Sequence, residues 1–217
     1  MFRTAIRSAA AAAAAAAAVV CVTACAPVQT GAAATVGSER IPTSTLASDV
    51  AALNKVYQAN PGLQRNVQYK PAQMPQLVLM WLVRFKILDD LTRRAGVQVT
   101  TADVQSGVAA AIQQIERQTG TRVTPAVFAM FNALPPDLTN QYGRFEASIE
   151  KLAVAYTGAK DASSLSAAQQ QQFSQRITAE VAAAAKRLDI KINPRFGRLN
   201  TTQLTIGAAP DTLSRPA

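Results

Sequence analysis

The side chains in this sequence that could do chemistry are few, and their types limit what the protein can do before any fold is considered. There are two cysteines, Cys21 and Cys25, and no histidine among 217 residues. Without an imidazole there is no Ser-His-Asp triad, no Cys-His dyad and no histidine-ligated metal centre. Paired carboxylates are the remaining route to acid-base or metal chemistry. Asp89 and Asp90 are neighbours in a helical pattern, so their side chains diverge by about 100° and cannot converge on one substrate. Glu146 and Glu150 are four residues apart and could meet on one helix face. Two carboxylates with no further ligand read more simply as a solvated face. No glycine-rich phosphate loop, nucleophile elbow or ligand cluster appears. The expectation is a non-enzyme that uses no metal and no cofactor.

The cysteines belong to a different kind of chemistry. Arg3 and Arg7 precede ten consecutive alanines, Ala9 to Ala18, and then Val19, Val20, Cys21 and Val22. A basic start, an apolar stretch and small residues after it make a secretory signal peptide. The stretch is shorter than the roughly 20 residues that span a bilayer. Val22-Thr23-Ala24-Cys25 resembles a bacterial lipobox. That resemblance implies cleavage between Ala24 and Cys25 and a diacylglycerol thioether on Cys25; an ordinary secreted protein is the alternative. Cys21 would leave with the signal and Cys25 would become the anchor, so the mature chain would hold no free thiol and no disulfide. Several acyl chains on one residue hold a protein durably at a membrane, on the extracytoplasmic face in this case. Loss of Arg3 and Arg7 lowers the net charge from +9 to +7.

The elements that must position any binding surface come next. Residues 1–24 read as the signal and 25–35 as a flexible tether containing Pro27 and Gly31. Residues 36–206 read as one mainly helical domain of about six helices, and 207–217, with Pro210 and Pro216, as a disordered tail. Apolar spacing and end signals predict helices over about 44–58, over Pro75 to Ala95, from Thr100 to Gly120, from Pro125 to Leu134, over about 137–157, and from Ser166 to Leu188. Thr100 with Asp103 and Ser166 with Gln169 form capping boxes, Thr124 caps a helix with Pro125 at its first position, and Gly96 is the expected stop after Arg93 and Arg94. Short β-branched segments at 35–41 and 189–192 are expected to pair and so join the two ends of the domain, with a further extended segment at 202–206.

The order of these elements carries a second resemblance. A short strand Val36-Gly37-Ser38-Glu39-Arg40-Ile41 is followed by a polar helix, the apolar helix Leu77 to Leu91, and the turn Ala95-Gly96-Val97-Gln98-Val99-Thr100. This is similar to the N-terminal chaperone domain of the SurA and PrsA foldases, and Leu188 to Gly197 resembles the ending of stand-alone lipoproteins of that type. The family's Val-Asn-Gly opening lacks its Asn here. A parvulin isomerase domain, with its active-site histidines, has no counterpart in these 217 residues and is expected to be missing. The resemblance therefore implies binding of unfolded or partly folded secreted polypeptides without catalysis.

Candidate client-binding residues follow from exposed-looking apolar positions. Leu77 to Val83 is hydrophobic all round the helix, which suits a core helix or one that offers a face, including Trp81 and Phe85, to a partner. Phe128, Met130 and Phe131 lie on a short helix between proline-bearing breaks, either as an adaptable client surface or as a patch packed on the next helix. Lys186, Arg187, Lys191, Arg195 and Arg198 form a basic group that could face anionic lipid or wall polymer or be simply solvated surface, the net charge of +7 could favour acidic clients, and the client groove is expected to be basic-rimmed. Nucleic acid suits the compartment poorly. Beside chaperone-like binding stands one alternative, a structural or assembly lipoprotein with a single defined envelope partner.

Overall fold

The helices form where apolar spacing and local end signals agree. A computed structural model describes residues 30–120, 122–200 and 205–207. The expected signal, Ala24, Cys25 and residues 208–217 of the expected tail lie outside the described residues. The chain is mainly helical, with small antiparallel strands near both ends of the domain. In order come β1 (Ala32–Val36), β2 (Glu39–Pro42), α1 (Thr43–Ala59), α2 (Met74–Arg94), α3 (Thr101–Thr119), α4 (Pro125–Asn132), α5 (Thr139–Thr157), α6 (Ala167–Arg187), β3 (Lys191–Ile192), β4 (Arg198–Asn200) and β5 (Thr205–Gly207).

The caps act as their residue types require. Thr100 Oγ1 accepts from the Asp103 amide at 3.2 Å, and Asp103 Oδ2 accepts from the Thr100 amide at 2.7 Å, so each satisfies a donor the helix end leaves open. Ser166 and Gln169 repeat the exchange at α6, and Thr124 Oγ1 accepts from the Val127 amide at 3.2 Å at α4. Gly96 ends α2 at φ 65°, a conformation that a Cβ would strain, and lets the Val97 amide reach back to the Thr92 carbonyl at 2.9 Å.

The expectations for the two ends of the domain need three corrections. The tether does not extend to residue 35, because Ala32, Ala33 and Ala34 are fully buried in β1. Alanine is a poor strand former alone. Here it is held by pairing on both sides, in the order β2-β1-β3. The segment 36–41 is also not one strand: it turns at Gly37-Ser38, with Gly37 at φ 61°, and pairs back on β1 as a hairpin. The two ends do meet, through Ala34 opposite Ile192 and Thr35 opposite Lys191. Asn193 secures the junction by donating to the Ala33 and Ala32 carbonyls at 2.9 and 3.0 Å. Gly207, read as the start of the tail, pairs with Arg198 in the β4–β5 ribbon.

α2 is the central element, with Val78, Leu79, Met80, Val83, Phe85, Ile87, Leu88 and Leu91 all buried. α1 and α6 pack on it in the larger core through Leu46, Leu53 and Ala184. A second cluster joins α2 to α3, α4 and α5 through Phe85, Ile115, Phe128 and Tyr142. α3 and α5 cross at two glycines: a Cβ placed on Gly107 would lie 2.5 Å from the Gly143 carbonyl oxygen, and one on Gly143 would lie 2.5 Å from the Val104 carbonyl oxygen. The backbones touch there.

Candidate functional site

A cleft of about 660 Å³ opens between α2, the end of α4 and the chain that leads into α2, with β5 at its lip. Its volume falls in the range of about 300–1,000 Å³ usual for ligand sites. Three other depressions among the described residues are smaller, about 210, 550 and 410 Å³. In the first two of these, ion pairs such as Asp89–Arg144 at 3.2 Å and Lys151–Asp103 at 3.0 Å occupy the polar lining groups.

The wall of the cleft is built on the C-terminal end of α4. A helix leaves its last carbonyls without intrahelical partners, and two aromatic side chains supply donors. Trp81 Nε1 donates to the Asn132 carbonyl at 2.8 Å, and the Tyr69 hydroxyl donates to the Met130 carbonyl at 2.9 Å. Ala133 ends the helix in the left-handed region at φ 48°. Burial is the main cause that pushes the Tyr69 phenol up to about 12, and Tyr57 adds to it.

Trp81 is the hinge between core and cleft. One side of its ring packs among Phe85, Tyr142 and Phe145, with centroids 5.7, 5.2 and 5.5 Å away. The Arg84 guanidinium carbon stands 5.1 Å from the centre of the Trp81 ring, within cation–π range. Burial lowers the Arg84 pKa from its ordinary value. Around these lie Leu77, Met80, Phe131 and Ile206, interleaved with the amides of Asn66, Gln68, Gln73, Gln76, Gln118 and Asn132.

Of the expected client-binding residues, the structure brings Trp81 and Phe131 together at the cleft, both half-buried. Phe85, Phe128 and Met130 do not present a surface, since they are 6%, 2% and 0% exposed. Their periodicity is that of core positions, and the Phe128 ring meets Tyr142 of α5 edge-on at 5.3 Å. The groove was expected to be basic-rimmed, yet Arg84 is the one charged side chain among the described residues that line it. Part of the C-terminal basic group is engaged elsewhere: Arg187 with Asp90, Lys191 with Asp189 at 2.8 Å, and Arg195 over the Phe196 ring. The amides were not singled out in the sequence, although Gln73 and Gln76 flank Pro75 where the loop enters α2. Arg84 could have been found as a cation one turn from Trp81 on an otherwise apolar helix.

The four carboxylates weighed in the sequence, Asp89, Asp90, Glu146 and Glu150, all lie outside the cleft lining. Asp90 is 5% exposed and accepts from Arg93 Nη2 at 2.7 Å, Arg94 Nε at 3.2 Å and Arg187 Nη2. Burial opposes its ionisation, but the Arg187 and Arg93 hydrogen bonds and the charges of Arg187 and Arg94 outweigh that and hold the carboxyl below its ordinary value. Asp89 points away to Arg144, as the divergence of adjacent helical residues requires. Glu146 is half-buried beside α3, where burial raises its pKa against the Tyr142 hydrogen bond and the Glu150 charge raises it further. Neither Glu146 nor Glu150 lines the cleft. Among the described residues no group of three metal-ligating side chains forms, and no helix is long and apolar enough to cross a membrane.

Comparison with protein-family models, curated proteins and solved structures finds no match for this chain.

Proposed function

We propose that this protein is a lipid-anchored, extracytoplasmic chaperone-like binding protein that holds apolar segments of non-native secreted polypeptides and performs no catalysis. The observation that carries the reading is the open cleft in which Trp81 and Phe131 stay half-exposed beside Leu77. Large apolar side chains left at a concave surface commonly mark a binding site, because burying them against a ligand recovers about 25 cal/mol per Å². The amides around them suit a polypeptide, since each offers a donor and an acceptor to peptide groups. The signal pattern and Cys25 support a location outside the cytoplasm, and the resemblance of the sequence to SurA-type chaperone domains supports polypeptide binding there.

The test is suppression of aggregation of a chemically unfolded model protein. The purified protein at several-fold excess should slow aggregation, and Phe131→Ser should weaken the effect while leaving the helical circular dichroism intact. No suppression at that excess would sink the reading. Crosslinking in intact cells that returned one dominant envelope partner in place of many clients would favour the assembly role.

A further inference from the structure

Away from the cleft, one carboxylate gathers three cations. Asp90, buried near the end of α2, accepts from Arg93 Nη2 at 2.7 Å, from Arg94 Nε at 3.2 Å and from Arg187 Nη2 of α6. Three guanidiniums on one carboxylate leave an excess of two positive charges. The C-terminal ends of α2 and α6 offset about half a charge each, and the exposed Lys186 beside Arg187 restores that amount. Neighbouring acidic residues are engaged by other cations: Asp89 by Arg144 at 3.2 Å, Glu180 by Arg176 at 3.9 Å and Asp189 by Lys191 at 2.8 Å. Arg93, Arg94 and Arg187 nevertheless remain 71%, 56% and 31% exposed. Each uses one N–H on Asp90, and a guanidinium carries five. The buried carboxylate holds the planar groups in place, so less rotamer freedom is lost when an anion binds.

None of the three lines the cleft or the three smaller depressions. A single small anion would therefore gain no enclosure there. An extended anionic surface suits an exposed cluster, because many weak contacts act together. The location agrees. The Gly37 amide donates to the Leu188 carbonyl at 2.5 Å, so the end of α6 abuts the β1–β2 turn. β1 runs about 17 Å from that turn to Ala32. Cys25 lies seven positions earlier, a reach of at most about 25 Å. An anchor on Cys25 would leave the cluster within range of the same membrane.

We propose that the arginine cluster on Asp90 is a docking point for a membrane surface rich in anionic phospholipid headgroups, which orients the anchored domain on the bilayer. The proposal rests on the lipid-anchored reading and adds a second contact with the membrane.

The experiment uses the full chain with Arg3→Gln and Arg7→Gln, so that those two charges do not contribute. It is mixed with vesicles of phosphatidylcholine, alone or with one third phosphatidylglycerol, and partition is read by flotation. The anionic vesicles should be preferred, and added salt should shrink the preference. A basic residue at such a surface contributes about fivefold in affinity, so Arg93→Gln with Arg94→Gln should reduce the preference about 25-fold. Arg65→Gln with Lys70→Gln removes equal charge from the segment that leads into the opposite end of α2, and should leave the preference within about twofold. In the chain with Arg93 and Arg94 intact, anionic vesicles should protect both from phenylglyoxal, a readout that does not depend on how the variants fold. Equal partition onto both vesicles, equal losses in the two double variants, or unprotected Arg93 and Arg94 would overturn the proposal. Displacement by millimolar inorganic phosphate at constant ionic strength would also overturn it, by marking a discrete phosphate site, as would polyglutamate bound as tightly through the same arginines. Failure of lipid labelling at Cys25 in cells would remove the anchored reading, whereas failure of the vesicle preference with labelling intact would remove this proposal alone.

Discussion

The crossing of α3 and α5 allows a prediction over four variants, three that destabilise and one control that does not. At Gly143 an alanine Cβ would stand 2.5 Å from the Val104 carbonyl oxygen and 2.5 Å from Val108 Cγ2. The Val108 methyl can rotate, but the carbonyl belongs to a helix and cannot. The helices must therefore part by roughly 0.5–1 Å, a gap that forfeits a quarter to a half of the dispersion energy along the contact. Overpacking of this kind costs about 3 kcal/mol at the upper end. Replacing a helical glycine returns about 1 kcal/mol. Gly143→Ala should thus destabilise by about 2 kcal/mol and lower Tm by about 4–8 °C. Gly107→Ala, whose Cβ meets the Gly143 carbonyl oxygen at the same 2.5 Å and Glu146 Cβ at 3.3 Å, should likewise cost about 2 kcal/mol. One separation relieves both clashes, so the double variant should lose about 2 kcal/mol, less than the sum. Gly62→Ala is the control: it meets nothing within 4 Å and has no positive φ to strain it, so it should be neutral or stabilising by about 0.5 kcal/mol. Urea unfolding followed by Trp81 fluorescence reads the series, because the ring packs on Tyr142 and Phe145 of α5. A Gly143→Ala protein as stable as Gly62→Ala, or strictly additive losses, would refute the close-contact argument.

Two further predictions concern titration. Asp90 is depressed below its ordinary value of 3.8, so its contribution to stability is complete above that pH and is lost as pH falls through the lower folded value. In Asp90→Asn that part of the acid limb should flatten. Stability at neutral pH should drop by about 2 kcal/mol, on the low side for a buried ion cluster because Arg93 and Arg94 are 71% and 56% exposed and recover hydration; an unchanged acid limb in chemical denaturation would contradict this. Tyr69 moves the other way: its folded pKa is raised from 10.0 to about 12, so its contribution is present below pH 10 and disappears as pH climbs toward 12. Burial also raises Tyr142 and Tyr156, so ultraviolet difference titration should show several late phenols among the four tyrosines, and Tyr69→Phe, which loses the bond to the Met130 carbonyl, should remove one of the late steps; an unchanged late amplitude in Tyr69→Phe would count against it.

What could be read without the fold was the local part. A cap acts within three residues, a proline restricts its neighbours, and apolar spacing marks one helix face. Thr100, Thr124, Ser166 and Gly96 therefore announced helix ends that the structure places within a residue or two. Adjacent aspartates had to diverge, and Asp89 and Asp90 do.

The rest depended on which segments come together across the chain, and spacing carries no record of that. The run Ala32–Ala34 looked like a linker because alanine has no strand preference of its own, yet strands from both ends of the domain bury it. Gly107 and Gly143 are unremarkable until two helices need to touch there. Asp90 meets Arg187 across 97 positions of sequence. The same reason separates Trp81 and Phe131, half-exposed at the cleft, from Phe85 and Phe128, which are covered in the cluster that α2 and α4 share with α3 and α5, and from Met130, which is fully buried. Hydrophobicity determines that such residues seek cover; only the packed structure decides which of them are left to find it in a ligand.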